Sequence, residues 1–301
     1  MTTTSLLPRR LKTKNKRLIA KAHSPWVRAV RTFVRHPLGM MGLIGTIVIV
    51  GSAFLAPHLA PYDPLAVNYR NSLAPPSADF WFGTDDLGRD IFSRILWGGR
   101  ETLQTVFMAM LIAVSGGVII GTISGYFGGY VDEIIQRLIE IVLAFPAILL
   151  LLSIIAILGP SLVTIMVAMG IATIPIFTRL VRSVVLVTKQ REYVVSAQAL
   201  GASHWHILRR HIIPNIIPTI IVYVTIDAAA AILVTSGLSY IGLGAQPPTP
   251  EWGAMLNEGR RFIYNGWWLS VFPGLFVMAT SLCINFLGEG LRKALSPRRN
   301  L

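Results

Sequence analysis

Long uncharged apolar segments alternate along the chain with shorter polar and charged connections. A run of about 20 apolar residues is long enough to cross a bilayer as a helix. Segments of this kind are predicted to span at residues 38–59, 102–123, 134–158, 162–186, 216–241 and 267–287. The pattern therefore predicts an all-α integral membrane protein with six transmembrane helices.

Glycine and proline positions refine three of these spans. Gly117, Gly121 and Gly125 recur every fourth residue, a spacing that lets a second helix approach closely. Pro146 is predicted to kink the third span or to begin its main part, and Pro175 interrupts the fourth span. These positions predict one tightly packed helix pair and two irregular helices.

Composition and charge agree with a membrane protein. Of 301 residues, 53% are apolar and only 14% are charged, a balance that a soluble domain of this length does not need. The formal net charge is +13, and the basic residues cluster before residue 38, in 179–211 and after residue 291. Because basic flanks mark the cytoplasmic side, these regions and both termini are predicted to be cytoplasmic.

The first 37 residues are predicted to form a basic cytoplasmic tail with an interfacial helix. Residues 1–23 have a basic, disordered composition, and Ser24 followed by Pro25 is a helix-start signal. The pattern suits a helix lying on the inner membrane surface, and a plain juxtamembrane helix that serves only as an anchor remains an open alternative. A nucleic-acid-binding arm is disfavoured because a spanning segment follows at once. The apolar stripe of the helix is Trp26, Val30, Phe33 and Val34.

Metal and disulfide chemistry are not predicted. Cys283 is the only cysteine and lies inside an apolar run, so it forms no internal disulfide and is interpreted as a small buried hydrophobe. His204, His206 and His211 lie in a basic segment without a carboxylate or cysteine partner, which disfavours a metal site.

A polar, basic segment at residues 191–214, here called the coupling segment, separates the fourth and fifth spans. Apolar residues repeat at helical spacing on both sides of Gly201, which predicts two short helices joined by a turn. Gly201 can adopt a positive φ there, Ser203 can cap the second helix, and Pro214 is predicted to end it. The two stripes are Tyr193, Ala197 and Leu200, then Trp205, Leu208 and Ile212.

The coupling segment resembles the cytoplasmic coupling loop of ABC-importer permeases. The resemblance rests on the small residues Ser196, Ala197 and Ala199, followed by Gly201 and Pro214. This chain departs from the family pattern at its start, because Val195 stands where an acidic residue is usual. An ordinary amphipathic loop is the alternative for this segment taken alone.

Two further segments sharpen the resemblance. Residues 83–94 resemble the signature before the second span of the dipeptide, oligopeptide and nickel permeases, and residues 242–256 resemble their signature after the fifth. The three motifs occur in the family order, over roughly residues 35–297. The chain is similar to the C-type permease subunits of dipeptide transporters.

The resemblance implies a type I ABC-importer permease fold with cytoplasmic coupling helices, in a bacterial inner membrane. It implies a B-type permease partner, two ATPase subunits that bind ATP and Mg, and an external substrate-binding protein. The cargo implied is a dipeptide or oligopeptide, with a nickel chelate or glutathione as alternatives. The chain contains no phosphate-loop motif, so no ATP hydrolysis, bound cofactor or nucleic-acid partner is expected of it.

The coupling segment supplies the residues expected to contact the ATPases. Two short helices with one apolar face each can dock in a groove on a partner. The predicted contacts are Tyr193, Ala197, Leu200, Gly201, Ala202, Trp205 and Leu208.

Two polar residues inside spans are candidates for the translocation pathway. Asp227 is an ionisable group within the fifth span, where it meets either a cationic cargo or a neighbouring helix through a structural hydrogen bond. Asn285 in the sixth span is a weaker candidate because an amide is cheaper to bury.

External docking of the binding protein is predicted at Asp85, Arg89, Glu251 and Trp252. Arginines interleave with the carboxylates of residues 85–94, which favours ion pairing in a scaffold over a metal or catalytic site. Pro247, Pro248 and Pro250 rigidify the second outer segment, so a stiff loop without contacts is the alternative there.

Two other function classes are disfavoured. A gradient-driven secondary transporter predicts internal repeats and several intramembrane charges, and little beyond Asp227 is found. An intramembrane hydrolase needs a nucleophile and a base within spans, yet spans two to six contain no histidine. The predicted division is 1–37, 38–101, 102–291 as the permease core, and 292–301 as a cytoplasmic tail.

Overall fold

The computed structural model describes residues 25–295, and the predictions for residues 1–23, the Ser24 cap and residues 296–301 lie outside this range. The described part is built of helices joined by irregular segments, the longest at residues 60–90, and its β structure is an isolated antiparallel bridge between Thr84 and Asp90. In chain order the helices are α1 (Pro25–Val34), α2 (Pro37–Phe54), α3 (Ala56–Leu59), α4 (Ile91–Phe127), α5 (Gly129–Leu143), α6 (Ala147–Leu158), α7 (Leu162–Lys189), α8 (Glu192–Ala199), α9 (His204–Tyr240), α10 (Trp252–Gly259) and α11 (Trp268–Leu295).

Five of these helices are long and apolar enough to cross a membrane, namely α2, α4, α7, α9 and α11. The third predicted span is instead a bent pair, in which α5 and α6 meet at 81°. The bend lies at Pro146, which has an extended ψ of 127° at the start of α6. The predicted break at this proline is confirmed, and counting the pair as one span gives the six predicted spans.

The glycine seam packs α4 against α7 as predicted. A Cβ atom added at Gly121 would lie 2.6 Å from the backbone oxygen of Thr178, and one at Gly125 would lie 3.0 Å from that of Arg182. Gly117 lies in the same way against Phe177. Only glycine permits this approach, so the seam fixes the central helix pair that joins the two ends of the molecule.

The fifth span differs from its prediction, because Pro214 does not end the second short helix. That helix continues without a break into α9, through a π-helical turn at Leu208–Ile212. Pro214 falls in the first turn of the α-helical part that follows the π-helical turn. The widened turn therefore carries the proline within one long helix.

Two clusters of buried apolar residues hold the helices together. The larger cluster lies between α4, α6, α7, α9, α10 and α11. The smaller one lies beneath the coupling segment and contains Tyr126, Val181, Val185, Val194, Ile207, Ile212 and Ile216. Following the predicted topology, we call the coupling-segment end the inner end and the end with α10 the outer end.

Candidate functional site

The coupling segment folds as a short helix, a tight turn and the start of α9. Gly201 has φ +80°, and its N–H donates to the Gln198 carbonyl at 2.9 Å. The Ser203 hydroxyl accepts a hydrogen bond from the His206 N–H at 3.3 Å. Both the predicted turn at Gly201 and the predicted cap at Ser203 are confirmed.

Apolar side chains anchor this segment to the rest of the protein. Val194 in α8 and Ile207 at the start of α9 are both buried against the smaller cluster, which includes Val181 and Val185 of α7. Sequence reasoning missed both anchors. Each stands directly beside a residue of a chosen stripe, and the sequence alone does not say which face turns inward.

The seven predicted contact residues divide into an exposed group and a supporting group. Leu200 is 88% exposed and Trp205 is 67% exposed, and both lie outside the predicted spans, where lipid would cover apolar side chains. Tyr193 and Gly201 are also exposed, whereas Ala197, Ala202 and Leu208 are partly buried. Ala202 and Leu208 pack against the smaller cluster, so they hold the segment in place.

Polar contacts join the coupling segment to the inner end of α4, and that end of α4 to α7. The Tyr126 hydroxyl lies 2.9 Å from Nδ1 of His204. Lys189 donates from Nζ to the Gly125 carbonyl at 2.8 Å. The first contact joins the coupling segment to the last turn of α4, and the second joins that turn to the last residue of α7.

A bidentate ion pair links α5 to α7 at the same end. Nε of Arg182 lies 2.6 Å from Oδ1 of Asp132, and Nη2 lies 2.5 Å from Oδ2. The Ser124 hydroxyl also contacts this carboxylate. Sequence reasoning used Arg182 only as a marker of the cytoplasmic end, because nothing in the sequence pairs residues 50 positions apart.

Asp227 lies near the middle of the α-helical part of α9, which runs Ile213–Tyr240. Within residues 25–295 its half-buried carboxylate has no hydrogen bond or ion pair. The α11-facing side of α9 is marked by Ala229, whose carbonyl accepts from Ser281 Oγ at 2.9 Å. Two residues correspond to more than half a helical turn, so Asp227 points away from α11.

Asn285 lies on α11 with its side chain exposed. No hydrogen bond connects it to Asp227 in the part of the chain that the structure describes. The two predicted pathway residues therefore lie on different helices and do not form one site within this chain.

At the outer end, four charged side chains form a buried cluster, here called the outer network: Asp85, Arg89, Arg94 and Glu258. Arg89 Nε lies 2.6 Å from Asp85 Oδ2, and Arg94 Nη2 lies 2.9 Å from Glu258 Oε2. Glu258 is the most exposed member, with 24% of its side chain accessible, and the other three are almost fully buried. The network joins the segment before α4 to α10.

Glu251 and Trp252 lock the other side of α10. The Glu251 carboxylate accepts hydrogen bonds from the Ala254 N–H and the Thr102 hydroxyl, both at 2.9 Å. Trp252 donates from Nε1 to the Ile95 carbonyl at 2.9 Å. Trp268 is buried and donates from Nε1 to the Thr84 carbonyl at 3.0 Å.

The prediction of external docking through Asp85, Arg89, Glu251 and Trp252 needs correction. All four side chains are at most 4% exposed, because each is satisfied by a partner within this chain. Residues 85–94 were also predicted to form ion pairs within a scaffold, and the structure contains such pairs. These side chains support the outer surface from inside the protein and are not part of that surface.

Burial dominates the electrostatics of the two outer glutamates. It raises the pKa of the Glu258 carboxyl, an effect that Arg94 and Arg89 oppose. It also raises the pKa of Glu251, against hydrogen bonds from the backbone of Gly253 and Ala254. Within residues 25–295, no group of three or more His, Cys, Asp or Glu side chains is arranged to hold a metal ion.

Two family models match this chain. The model described as the binding-protein-dependent transport system inner membrane component matches residues 117–301. The model described as the N-terminal TM domain of oligopeptide transport permease C matches residues 24–76. The two matches cover the permease core and the N-terminal part separately.

Full-length relatives are similar over nearly the whole chain. The dipeptide transport system permease protein DppC of Alkalihalophilus pseudofirmus is 44% identical, over 92% of this chain and 91% of that protein. The glutathione transport system permease protein GsiD of Pectobacterium atrosepticum is 42% identical, over 91% and 92%. The probable D,D-dipeptide transport system permease protein DdpC of Escherichia coli is 40% identical, over 87% and 88%.

Two solved structures share the fold. Inward-facing conformations of the MetNI methionine ABC transporter match with a TM-score of 0.52 at 17% identity, over 68% of this chain and 97% of that chain. An amino acid ABC transporter with histidines matches with a TM-score of 0.52 at 17% identity, over 66% and 92%. The resemblance drawn from the three motifs and the predicted all-α membrane fold are both confirmed. With one family model over more than half its length and relatives at 40% identity or more over most of it, the chain belongs to the binding-protein-dependent transport system inner membrane components.

Proposed function

We propose that this chain is one of two permease subunits in an ATP-driven importer of dipeptides or oligopeptides. The relatives named for dipeptide and glutathione transport are 44% and 42% identical, and both names denote peptides. A small peptide with a free amino group is therefore the proposed cargo. Glutathione transport is the second candidate, and its support is the similarity to GsiD.

The proposed partners are a B-type permease subunit, two ATPase subunits and an external substrate-binding protein. ATP and Mg are bound by the ATPases, and this chain is a non-catalytic subunit that binds no cofactor. The proposal places both termini and the coupling segment in the cytoplasm of a bacterial cell, and the end with α10 on the side of the binding protein. Basic residues at both termini and in 179–211 support this orientation.

The observation that carries the proposal is the construction of the coupling segment. It exposes Leu200 and Trp205 at its tip, while Val194 and Ile207 fix its base to α7. Exposed large apolar side chains on a rigid base are typical of a surface that a partner covers. An ATPase groove that receives this tip could pull or push it without first deforming it.

The long helix α9 supplies the proposed transmission. It runs unbroken from His204 beside the tip to Tyr240 at the outer end, and Asp227 lies between them. A displacement of the tip therefore moves the proposed pathway as a rigid body. Switching the transporter almost completely between two states needs about 5.5 kcal/mol of differential binding, which closure of the ATPases would provide.

A substitution at Gly201 tests the coupling role, with Gly159 as a matched control. Both residues have a positive φ, +80° and +84°, and a Cβ atom at either would have no neighbour within 4 Å. Gly159 lies in the outer turn before α7, where its φ of 84° and ψ of 158° are accessible essentially only to glycine, so the control also strains the backbone, at the opposite end of the molecule.

The measurement is ATP-dependent uptake by the complete transporter in proteoliposomes, with binding protein present. We expect Gly201→Asp to abolish uptake without reducing the amount of assembled complex, and Gly159→Asp to retain most of it. Normal uptake by a well-assembled Gly201→Asp transporter would overturn the coupling role. Equal loss from both variants would show that backbone strain alone is responsible.

The pathway role of Asp227 is tested by Asp227→Asn in the same transporter. Within the described residues its carboxylate has no partner, which supports a role in meeting a cationic group of the cargo. We expect the uptake of peptides with a free amino group to fall, whereas the uptake of an N-acetylated peptide should not fall. An equal loss for both peptides would indicate a structural contact with the partner permease.

A further inference from the structure

A basic patch at the inner end, formed by α1 and the end of α11, is not used by the proposed transport function. One side of α1 packs inward, where Phe33 lies against the crossing point of Gly39 and Gly290. Another side carries Val27, Val30 and Val34, which are 52%, 60% and 57% exposed. This helix therefore has one face on protein and a second apolar face that no described residue covers.

Basic side chains border the exposed valines. Arg31 and Arg35 are exposed on the flank of α1. Arg292 and Lys293 extend from the last turns of α11, with side chains 62% and 54% exposed. Glu289 is the acidic side chain that pairs with these two residues, so the patch keeps a positive balance.

His36 joins α1 to the end of α11 through an unusual contact. Its Nδ1 accepts a hydrogen bond from the Gly39 N–H at 3.0 Å, so this nitrogen carries no proton. A neutral imidazole must then carry its proton on Nε2, which lies 2.8 Å from Nζ of Lys293. An N–H and an ammonium are both donors, and neither satisfies the other.

Two converging donors need an acceptor that both can reach. An anionic oxygen placed against Nε2 of His36 and Nζ of Lys293 would accept from both, and it would also relieve their mutual repulsion. Arg35, next to His36 in sequence, adds a further positive charge nearby. The chemistry of this arrangement favours an anion with several oxygens, such as a phosphate group.

We propose that this patch binds the phosphate of an anionic phospholipid headgroup. The exposed valines of α1 identify the phosphate as a lipid's, because they would lie among the acyl chains while the basic side chains reach the headgroup layer. A free phosphate ion has no apolar part that could cover the exposed valines beside the donors. The site anchors the inner ends of α1, α2 and α11 to one lipid, and it does not depend on which solute is transported.

The test is thermal unfolding of the purified full-length chain in detergent, with lipid added back. We expect phosphatidylglycerol to raise the melting temperature, while phosphatidylcholine and inorganic phosphate leave it unchanged. Each basic group near an anionic surface contributes about fivefold to binding, so Lys293→Gln and Arg35→Gln should each weaken the response to phosphatidylglycerol about fivefold. Arg31→Gln, on the exposed helix surface, gives a second variant should Lys293→Gln fail to fold.

Arg261→Gln is the matched control, since it removes one exposed positive charge at the outer end. It should keep the full response to phosphatidylglycerol. An equal response to phosphatidylcholine, a response to inorganic phosphate alone, or an equal loss in Arg261→Gln and Lys293→Gln would each overturn the proposal.

Discussion

The outer network and the coupling segment differ in which side chains they bury and which they expose. At the outer end, Asp85, Arg89 and Arg94 are removed from solvent although they are charged. At the inner end, Leu200 and Trp205 are exposed although they are apolar. In most proteins charged side chains are exposed and large apolar ones are buried, so each end departs from the usual distribution.

The difference indicates how each end works. Buried ion pairs contribute little net stability, but breaking one is costly, so they hold a single geometry at the outer end. Exposed apolar side chains gain free energy only when another protein covers them, so the inner end is built to be completed by a partner. The molecule thus combines a self-contained end with an incomplete end.

Breaking the outer network should have the largest effect. Arg94→Met removes the nearest cation of Glu258 and leaves that carboxylate only Arg89, at 3.4 Å, and the loss of one member of a buried pair costs about 3–5 kcal/mol. The double variant Arg94→Met/Glu258→Met removes both charges and should recover part of this loss. Chemical unfolding in detergent micelles measures both. Equal losses in the single and double variants would contradict the assigned pairing.

Disturbing the seam between the two ends should have the next largest effect. Gly121→Ala places a methyl group 2.6 Å from the Thr178 carbonyl, and overpacking of this kind costs about 1–3 kcal/mol. Gly51→Ala in α2 is the control, because its Cβ would have no neighbour within 4 Å. The same unfolding measurement should show little change for the control. Because alanine is a better helix former than glycine, equal destabilisation of both variants would contradict close packing at Gly121 as the cause.

A substitution at the base of the coupling segment should lower stability, whereas one at its tip should lower function only. Val194→Ala removes two buried carbon groups and should cost about 1.6 kcal/mol of unfolding free energy. Leu200→Ala, at an 88% exposed position, should change stability by less than about 0.5 kcal/mol. In the assembled transporter, however, Leu200→Ala should lower binding-protein-stimulated ATP hydrolysis. Unchanged hydrolysis would remove Leu200 from the proposed contact.

The pH response of the outer end should be the smallest effect. Burial raises the pKa of Glu258 above its ordinary value of 4.5, so the folded state binds a proton more readily than the unfolded state. This contribution to stability is fully present below pH 4.5 and is lost as the pH rises through the folded-state pKa. Glu258→Gln should remove that part of the pH dependence of unfolding. A variant with the same pH profile as the parent would assign it to another group.

The sequence predicted most features that depend on near neighbours along the chain. The positive φ of Gly201, the Ser203 cap, the break at Pro146 and the seam at Gly117, Gly121 and Gly125 all follow from local backbone and helix geometry. The π-helical turn that carries Pro214 into α9 was not predicted, because a proline by itself indicates only that a regular helix is interrupted.

Features that depend on distant neighbours were missed or misassigned. Glu251 and Trp252 were predicted to contact the binding protein from a loop stiffened by prolines, yet their partners Thr102 and Ile95 lie in α4. The pair of Arg182 with Asp132 and the contact of His36 with Lys293 have the same origin. No local pattern records which distant group will meet a side chain.

The sequence by itself determined that this chain crosses a membrane, where its helices begin to bend, and to which family of transport permeases it is similar. Apolar length, charge distribution and short motifs are properties of the unfolded chain, and the cost of exposing peptide groups to lipid leaves few structures open to them. Only the tertiary structure decided which side of each helix is buried. That choice depends on contacts between helices, which turned four predicted docking residues inward and left Leu200 and Trp205 facing out.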